Sequence, residues 1–531
     1  MWPARRPEEP PVSLSLAAVL AEGARRYPAR DAVVFMGRGT SYSDLWEQSR
    51  RYASVFASRG IGRGDRVALL LPNVPDFPRA YFGTLALGAV VVPVHALLTA
   101  EEIAFVLRDS GASLLVCAGP LLGEGAKGAE LAGVPIVSVL GAGDAAGSGD
   151  TGIEALEALA ADVEPVATYQ LCEPDDDAVI LYTSGTTGQP KGAVLTHLNL
   201  VMNSTLSSID VIGLSSNDVI LGCLPLFHIF GQICSMAAGF RQGATIVLLP
   251  KFDGATALDL IVEHEVTVFQ GVPTMYIGLL EAAKADPRRP QLRTCVSGGA
   301  ALPVSVIEQF KEVFGADIYE GYGLSETSPV ATFNQPLFGR KAGTVGHPIW
   351  GVEVRIAAAD VEDRIDFMPD GESGEVVIRG HNIMKGYHNN PEATKAAIVD
   401  GWFRTGDIGV RDGEGFIAIV DRKKDLIIRG GFNVYPRELE EILVRAPGVA
   451  QIAVIGLPDE THGESVCAVV IPEPGSDFTV DALLDYGNDK LGKHKRPTRV
   501  EVVDAFPLGP SGKVLKRELV ARFRTGGGTA G

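Results

Sequence analysis

Cysteine and positive charge are both scarce in this sequence. Its 531 residues include six cysteines, with no Cys-x-x-Cys pair and no histidine spacing typical of a zinc site. We therefore expect buried, reduced thiols at Cys117, Cys172, Cys223, Cys234, Cys295 and Cys467. Lysine and arginine number 47 against 65 acidic residues, a net charge of −18, which excludes the broad positive field of a nucleic-acid or anionic-membrane binder. A phosphate-bearing ligand therefore needs a local binding site.

Long uninterrupted apolar runs are also missing. Glu8, Glu9 and nearby prolines interrupt the N-terminal segment, which lacks the apolar core of a signal peptide, so a cytoplasmic location is the expectation. The longest uncharged stretch, residues 80–100, contains Gly88 and Pro93. These residues divide it into a helix-like half and a strand-like half, which favours a buried α/β crossover over a transmembrane segment.

A repeated pattern of helix followed by apolar strand predicts an α/β fold. Ser41 and Asp44 form a capping box, Gly60 ends the helix that follows, and an apolar strand comes next. The same alternation recurs at residues 101–118, 255–270 and 304–319. This pattern is typical of β-sheets covered by helices.

The length and a change in sequence texture predict two domains. A single core usually stops growing near about 250 to 300 residues, so 531 residues need more than one. Gly-rich turns and short strands end near residue 420, and a charged helix, two strands and a basic end follow. We expect a large N-terminal domain over residues 1–422, with subdomains, and a small mobile α+β domain over 423–531.

The strongest chemical motif is YTSGTTGQPKG at residues 182–192. Its hydroxyl side chains and glycines allow close approach of the backbone to an anion, and Lys191 adds a positive charge. It is not a Walker loop, because Lys191 follows Pro190 and precedes Gly192. A phosphate-binding loop is therefore predicted, with an ordinary Ser/Thr/Gly surface turn as the alternative.

With this motif in place, the chain resembles the adenylate-forming superfamily of acyl-CoA synthetases, firefly-luciferase-like enzymes and peptide-synthetase adenylation domains. Seven further segments occur in family order: PLFH (225–228), GVPTMY (271–276), GGAALP (298–303), YEGYGLSET (319–327), GWFRTGDIG (401–409), DRKKDLIIRGGFNVYPRELE (421–440) and PSGKVLKREL (510–519). The resemblance spans about residues 40–523 and is closest to bacterial medium- and long-chain fatty acid CoA ligases. It implies ATP, Mg²⁺ and CoA as cofactors.

The resemblance also implies a nucleotide site. Tyr322 would stack on adenine, Ser325 would contact the α-phosphate where many relatives have Thr, and Glu326 would bind Mg²⁺ together with Thr183. The Asp407 carboxylate would accept hydrogen bonds from the ribose hydroxyls. The alternative is that this Gly-Asp pair only forms a turn. The implied nucleotide-binding residues are Thr183, Ser184, Gly185, Thr186, Thr187, Gly188, Lys191, Gly299, Ala300, Glu320, Gly321, Tyr322, Gly323, Ser325, Asp407 and Arg422.

Two lysines are the main candidates for charge stabilisation. The resemblance implies that Lys513 offsets the charge that builds as a carboxylate attacks the α-phosphate, and that Lys191 holds the leaving pyrophosphate. The alternative for Lys513 is a solvated basic helix face shared with Lys516 and Arg517. Together with Ser325 and Glu326, these lysines are the predicted catalytic residues.

The C-terminal part carries a predicted hinge and a predicted CoA passage. Lys424 matches the family's hinge position, between two orientations of the small domain. Gly430 and Gly431 would leave room for a pantetheine arm, with a simple bend between two strands as the alternative.

The acyl pocket is the least specified part of the prediction. The implied lining residues are Phe227, His228, Val272, Met275, Tyr276, Gly298 and Gly299. All except His228 are apolar, small or aromatic, and His228 is equally compatible with a structural role. The absence of an Asp near this position argues against an amino acid donor.

These observations predict an AMP-forming acyl-CoA ligase acting on a medium- or long-chain fatty acid, with aryl and hydroxylated acids open. An amine or a carrier-protein thiol as acceptor is an alternative. A non-catalytic acyl or nucleotide sensor is an alternative of another class, and the retention of Lys191, Glu326 and Lys513 argues against it. The oligomeric state is open, with a homodimer among the options.

Overall fold

The computed structural model describes residues 14–139, 152–183, 190–459, 461–508 and 514–524. Its α-helices are α1 Ala17–Arg26, α2 Tyr42–Ser58, α3 Asp76–Ala86, α4 Ala100–Ser110, α5 Leu122–Ala132, α6 Leu156–Ala161, α7 His197–Leu206, α8 Ala238–Gln242, α9 Gly254–Glu263, α10 Pro273–Ala285, α11 Val304–Phe314, α12 Pro391–Ala397, α13 Pro436–Leu443, α14 Val480–Lys490 and α15 Lys516–Phe523. Short 3₁₀ segments cover Gly119–Leu121, Ser325–Thr327 and Lys493–Lys495, and π-helical segments cover Ser207–Val211 and Phe230–Ala237.

The strands are β1 Asp31–Phe35, β2 Arg38–Ser41, β3 Arg66–Leu70, β4 Val90–Pro93, β5 Leu114–Ala118, β6 Ile136–Val139, β7 Asp177–Thr183, β8 Lys191–Thr196, β9 Val219–Gly222, β10 Thr245–Leu248, β11 Val268–Gly271, β12 Thr294–Ser297, β13 Ile318–Gly323, β14 Val330–Phe333, β15 His347–Pro348, β16 Val352–Ala357, β17 Ser373–Gly380, β18 Gly386–Tyr387, β19 Ile398–Val399, β20 Trp402–Arg411, β21 Ile417–Arg422, β22 Ile427–Arg429, β23 Phe432–Val434, β24 Val449–Asp459, β25 Gly463–Pro472 and β26 Arg499–Val502.

These elements form two compact units. The first unit comprises Met1–Ala342, Gly346–Glu353 and Arg379–Ile398, and the second comprises Gly343–Val345, Val354–Ile378 and Val399–Gly531. These units are defined by packing in one conformation. The boundary predicted between residues 422 and 423 instead separates two domains that are expected to move relative to each other. That boundary therefore stays a prediction.

Two large sheets build the first unit. The nine-stranded sheet has the order β15-β14-β13-β12-β11-β9-β10-β1-β2, and its centre from β13 to β1 is parallel. The seven-stranded sheet has the order β18-β8-β7-β4-β3-β5-β6, with β7 to β6 parallel and β8 and β18 antiparallel. Helices connect the parallel strands, as such crossovers require.

The local sequence signals produce the elements that they predict. Ser41 caps α2, and its hydroxyl accepts a hydrogen bond from the Asp44 N–H at 3.1 Å. Gly60 follows the helix with a φ of +83°, and β3 comes next. The three further alternations form α4 and β5, α9 and β11, and α11 and β13. The predicted helix-covered sheets are therefore confirmed.

The apolar stretch at residues 80–100 divides as predicted. Its first half lies in α3, and its second half contains the buried strand β4 followed by a partly exposed segment at residues 95–100. None of the helices that the structure describes is long and apolar enough to cross a membrane.

The second unit contains two smaller sheets. One has the order β16-β17-β20-β19 with β21 paired to β20, and the other has the order β23-β22-β25-β24 with β26 parallel to β25. α13 and α14 pack with the second sheet around a core that includes Leu439, Leu443 and Leu483. This helix-and-sheet core matches the predicted α+β character of the C-terminal part.

All six cysteines are buried, and none of them forms a disulfide. Burial raises the pKa of the Cys223 and Cys234 thiols to about 12, so both stay protonated. The expectation of buried, reduced thiols is confirmed.

Candidate active site

The predicted phosphate loop joins two antiparallel strands. β7 pairs with β8, with Tyr182 opposite Gly192 and Thr183 opposite Lys191. The Thr183 hydroxyl donates to the Lys191 carbonyl at 3.5 Å. The ladder therefore holds both ends of the loop together. The loop residues Ser184, Gly185, Thr186, Thr187 and Gly188 lie outside the described residues, and their roles stay predictions.

Glu326 lies in a 3₁₀ turn directly after β13. The turn is fixed by Thr327, whose hydroxyl accepts from the Leu324 N–H at 2.8 Å. Glu326 is only 9% exposed. Its carboxylate accepts a hydrogen bond from the Tyr387 hydroxyl at 3.0 Å, and its carbonyl accepts from the Met384 N–H at 2.9 Å. The predicted metal ligand is therefore a buried carboxylate in a fixed loop.

Tyr387 connects Glu326 to the phosphate loop. It lies in β18, which pairs with β8, and the Lys191 ammonium lies 5.3 Å from the centre of its ring. Burial, together with the neighbouring Glu326 charge, raises the pKa of Tyr387, so its hydroxyl stays protonated and donates. The structure therefore brings Lys191, Tyr387 and Glu326 together, and we call them the Glu326–Tyr387–Lys191 cluster.

Sequence reasoning missed Tyr387. Its strand has only two residues, too few to show a periodic pattern. The only available signal was that a Gly-Tyr pair follows a buried apolar strand, which is also a common structural arrangement.

The predicted adenine and phosphate positions lie at one edge of the nine-stranded sheet. β11, β12 and β13 are neighbouring parallel strands, so the segments after their carboxyl ends meet at the same edge. Tyr322 is partly exposed there, beside Ser325, and Gly299 and Ala300 form an exposed loop after β12. This loop is tied to β13 by the Leu302 N–H, which donates to Glu320 at 3.4 Å.

Gly321 and Gly323 allow β14 to approach β13 closely. Gly321 pairs with Phe333, and Gly323 pairs with Val330. A Cβ at Gly323 would overlap the carbonyl oxygen of Pro329, and one at Gly321 would lie 2.8 Å from the Phe333 ring. These two glycines therefore allow β13, the strand that contains Tyr322, to pack closely against β14.

Several predicted acyl-pocket positions meet at the same sheet edge. A Cβ at Gly299 would lie 3.5 Å from Val272. A Cβ at Gly298 would lie 3.3 Å from the ring of Phe230, a residue that sequence reasoning did not select. Phe230 begins a π-helical segment, a feature common at functional sites that leaves no clear periodic signal.

The remaining pocket candidates have structural contacts. Phe227 packs on His95 with ring centres 4.2 Å apart. The Nδ1 atom of His228 accepts from the Phe230 N–H at 3.2 Å, which orients the start of the π-helical segment. Met275 is buried and its sulfur lies 3.9 Å from the Cys223 sulfur.

Tyr276 lies in the hydrophobic core. It is fully buried, and its ring contacts Phe269 and Phe310 edge-to-face at 5.0 and 5.1 Å. Among the described residues its hydroxyl has no hydrogen-bond partner. The packing explains the burial of Tyr276, and its predicted role in acyl binding stays a prediction.

In the second unit, the predicted ribose-binding residues are neighbours. Asp407 in β20 pairs with Arg422 at the end of β21, and the Asp407 carboxylate lies 3.6 Å from the Arg422 Nε atom. Asp407 is buried and Arg422 is exposed. The pair presents one carboxylate and one guanidinium on adjacent strands.

The predicted hinge follows this pair directly. Lys424 is exposed in the turn after β21. Before it, the buried Asp421 accepts hydrogen bonds from the Arg422 and Arg437 N–H groups at 2.7 and 2.9 Å. Burial raises the pKa of Asp421. Asp421 therefore joins β21 to the start of α13 across the predicted hinge position.

Gly430 and Gly431 form a tight hairpin turn between β22 and β23. Their φ angles are +58° and +84°, and Arg429 pairs with Phe432 across the turn. Two positive φ angles favour glycine at both positions. The bend between two strands is thus present, and the predicted CoA passage stays a prediction.

The adenylation lysine predicted at Lys513 lies outside the described residues. Its neighbour Lys516 begins α15 and forms an ion pair of 2.7 Å with Glu440, both mostly buried. Arg517 is exposed. Lys516 is therefore part of a structural contact rather than a fully solvated basic face.

The described part of the chain contains no group of three or more His, Cys, Asp or Glu residues arranged to hold a metal ion. Mg²⁺ in nucleotide enzymes is usually held by one or two carboxylates plus phosphate oxygens, so such a group is not required. The buried Glu326 carboxylate, which shares the neighbour Tyr387 with Lys191, fits this mode, and Thr183 lies opposite Lys191 in the β7–β8 ladder.

Two family models match the chain in order. The model for the AMP-binding enzyme covers residues 20–388, and the model for the AMP-binding enzyme C-terminal domain covers residues 438–513. The chain belongs to the AMP-binding enzyme family. The predicted fold, a large N-terminal domain of helix-covered sheets with a small C-terminal domain, is confirmed.

Named relatives match over nearly the whole chain. A long-chain-fatty-acid–CoA ligase of Bacillus subtilis is 34% identical and covers 98% of this chain and 97% of its own. A feruloyl-CoA synthase of an Amycolatopsis species is 37% identical, covering 94% and 97%. The ATP-bound structure of MatB from Rhodopseudomonas palustris is 32% identical, with a TM-score of 0.87 and coverage of 97% and 99%.

These findings confirm the predicted class of enzyme. The chain is an AMP-forming acid–thiol ligase, and the enzymes of its family use ATP, Mg²⁺ and CoA. The relatives differ in their acids, so the donor is the open question.

Proposed function

We propose that this enzyme converts a medium- or long-chain fatty acid to its CoA thioester in two steps. First, a carboxylate oxygen attacks the α-phosphorus of ATP, the bond from that phosphorus to the bridging oxygen breaks, and acyl-AMP and pyrophosphate form. Then the CoA sulfur attacks the acyl carbon, the bond from that carbon to the phosphate oxygen breaks, and AMP leaves. The thiol proton passes to solvent.

The observation that carries the first step is the Glu326–Tyr387–Lys191 cluster. The Lys191 ammonium and the buried Glu326 carboxylate are distant in sequence, yet both contact Tyr387. Lys191 is also part of the predicted phosphate loop. In the proposal Lys191 binds the pyrophosphate being released, and Glu326 and Thr183 hold Mg²⁺. Mg²⁺, when bound, offsets phosphate charge. Lys513 offsets the charge at the α-phosphate.

The apolar character of the acyl-binding positions supports a fatty acid donor. Phe230 lies against Gly298 and Val272 lies against Gly299 at the sheet edge, and neither contact involves a charged side chain. A long-chain-fatty-acid–CoA ligase of Mycobacterium tuberculosis, 36% identical over 91% of this chain, is a further relative with such a donor.

An aryl acid is the second candidate donor. Phe227 and Phe230 offer flat rings on which an aromatic acid could stack, and the feruloyl-CoA synthase is as similar to the chain as the fatty acid ligases. The two donors differ in shape, so one panel distinguishes them.

The test is pyrophosphate release from ATP across fatty acids of 6 to 18 carbons, ferulic, coumaric and benzoic acids, with and without CoA. We expect the highest kcat/KM for a fatty acid and full turnover only with CoA, with the thioester identified by mass. A preference for ferulic acid would contradict the fatty acid donor and support the aryl one. Turnover with an amine or a carrier-protein thiol in place of CoA would identify the alternative acceptors.

A cytoplasmic location is part of the proposal and is tested by fractionation of the producing cell. The oligomeric state is measured by sedimentation, with a homodimer as one outcome.

A further inference from the structure

We propose that Tyr387 is a positioning residue for adenylation, whose hydroxyl orients the Glu326 carboxylate and whose ring positions the Lys191 ammonium. The inference rests on the proposed adenylation step and extends it to a residue for which neither motif nor composition suggests a role. Tyr387 touches neither reacting atom in this assignment and acts through its two neighbours.

One side chain makes both contacts. The hydroxyl donates to Glu326 at 3.0 Å, and the face of the ring lies 5.3 Å from the Lys191 Nζ atom. A hydrogen bond to one carboxylate oxygen restricts rotation of the carboxylate, and a cation prefers the electron-rich face of the ring. Tyr387 therefore fixes the distance between the Glu326 carboxylate and the Lys191 ammonium, which in the proposal act on the same bound polyphosphate.

The backbone around Tyr387 is anchored to both partners. On the Lys191 side, Tyr387 pairs with Ala193 in β8, and the His388 N–H donates to the Gly192 carbonyl at 2.7 Å. On the Glu326 side, the Met384 N–H donates to the Glu326 carbonyl at 2.9 Å.

The tyrosine itself is held by a further hydrogen bond. Its own N–H donates to the Thr394 hydroxyl at 2.9 Å, which ties β18 to α12. Residues 384–388 are thus hydrogen-bonded both to β8, next to Lys191, and to the turn that contains Glu326. Such a segment suits a positioning role, because backbone hydrogen bonds on both sides restrict its movement.

The two contacts predict separable effects. Groups that orient a metal ligand typically change metal affinity or activity by roughly 10- to 100-fold when removed. Tyr387→Phe removes the hydroxyl and keeps the ring, so it should weaken only metal-dependent nucleotide binding. Tyr387→Leu removes both, so it should also weaken binding of ATP without metal.

The experiment is isothermal titration of the full-length protein with MgATP and with ATP in EDTA. We expect Tyr387→Phe to lower MgATP affinity about tenfold and to leave metal-free ATP affinity unchanged. Tyr387→Leu should lower both. In the Glu326→Gln background, Tyr387→Phe should cause no further loss, because the hydroxyl acts through that carboxylate. Tyr169→Phe, which removes a half-buried hydroxyl elsewhere in the first unit, is the control and should match the parent.

Unchanged MgATP affinity in Tyr387→Phe would overturn the assignment. Equal loss with and without metal, accompanied by a lower Tm, would also overturn it, since that pattern indicates a merely structural tyrosine. Failure of the proposed function would be visible separately, as a parent enzyme that releases no pyrophosphate with any acid while the binding results stand.

Discussion

In the described part of the chain, Glu326, the proposed Mg²⁺ ligand, is a buried carboxylate outside any group of three or more potential metal-binding side chains. Its burial would be costly for an isolated charge. The hydrogen bond from the Tyr387 hydroxyl reduces that cost. The position therefore combines low exposure with favourable neighbours, as expected for a functional carboxylate.

Replacing Glu326 by Gln should reduce adenylation and raise its Mg²⁺ requirement. Gln keeps the shape and loses the negative charge that attracts the ion. We expect pyrophosphate release to fall roughly 10²-fold, as for the loss of one preorganised electrostatic group, with partial recovery at high Mg²⁺. The measurement is the initial rate against Mg²⁺ concentration.

The matched control is Glu312→Gln, which removes one carboxylate on an exposed face of α11. It should behave as the parent. An unaltered Mg²⁺ dependence at near-parental activity in Glu326→Gln would show that Glu326 is not the metal ligand.

Gly431 tests the proposed CoA passage. No described heavy atom lies within 4 Å of a Cβ built at Gly431, so a larger side chain meets open space rather than the protein core. We expect Gly431→Leu to form acyl-AMP at close to the parental rate and to lose thioester formation. The two half-reactions are measured separately.

Gly371→Leu controls for backbone strain. Its φ of +91° matches the +84° of Gly431, and space around it is likewise open among the described residues. At such φ values a side chain costs about 1–2 kcal/mol, equally in both variants. If Gly371→Leu loses thioester formation to the same extent, strain and not obstruction is the cause.

At the scale of elements, capped helices and regular strands could be predicted and short irregular pieces could not. The two ends of α2 can be predicted from Ser41, Asp44 and Gly60, because capping residues act through contacts close in sequence. β18 and the π-helical segment of Phe230 depend on neighbours distant in sequence. Most of the helix-covered sheets could therefore be predicted from the sequence, whereas the positions of Tyr387 and Phe230 in the site could not.

The β13–β14 hairpin depends on Gly323. Because a Cβ there would overlap the Pro329 carbonyl, Gly323→Ala should push the strands apart and destabilise the first unit by about 1–3 kcal/mol, the range for overpacking. Calorimetry should show a lower Tm, and ATP should bind more weakly because Tyr322 is adjacent.

Gly123→Ala is the comparison for this hairpin prediction. It lies within α5 with no described heavy atom near its Cβ position, so it should leave Tm unchanged or slightly raised. Equal Tm values for the two variants would show that the backbone at Gly323 relaxes without cost.

The buried His197 at the start of α7 should make the stability of the protein depend on pH. The Nδ1 atom of His197 accepts from the Leu16 N–H at 3.0 Å, and burial lowers the pKa of His197 to about 4. The unfolded chain binds a proton below about pH 6.5, but the folded one does not until about pH 4. Stability from this residue is therefore complete above pH 6.5 and is lost as pH falls towards 4, by up to about 3 kcal/mol.

The measurement is Tm against pH for the parent and His197→Asn, whose side-chain oxygen can accept the same N–H but cannot be protonated. The decline in Tm between pH 6.5 and 4 should be smaller in the variant. Identical slopes would mean that another group controls the acid transition.

At the scale of the whole molecule, the sequence identifies the reaction more firmly than the acid. The motifs lie in the order that the family resemblance predicts, and the two family models match residues 20–388 and 438–513. The proposed acyl-binding positions follow β11 and β12 or lie near the start of the π-helical segment, so a pocket formed by them depends on three-dimensional packing. Relatives with fatty, aryl and sulfonated acids share similar identity with this chain.

The two-step account is tested most directly by separating the half-reactions of Lys513→Ala. Loss of one preorganised charge commonly costs about 3–4 kcal/mol, or roughly 10²- to 10³-fold, so ATP-dependent turnover should nearly cease. Arg517→Ala, on the exposed face of α15, is the control, because Lys516 is engaged with Glu440. Supplied with synthetic acyl-AMP and CoA, Lys513→Ala should still form thioester at close to the parental rate. Equal loss in both half-reactions would contradict the account.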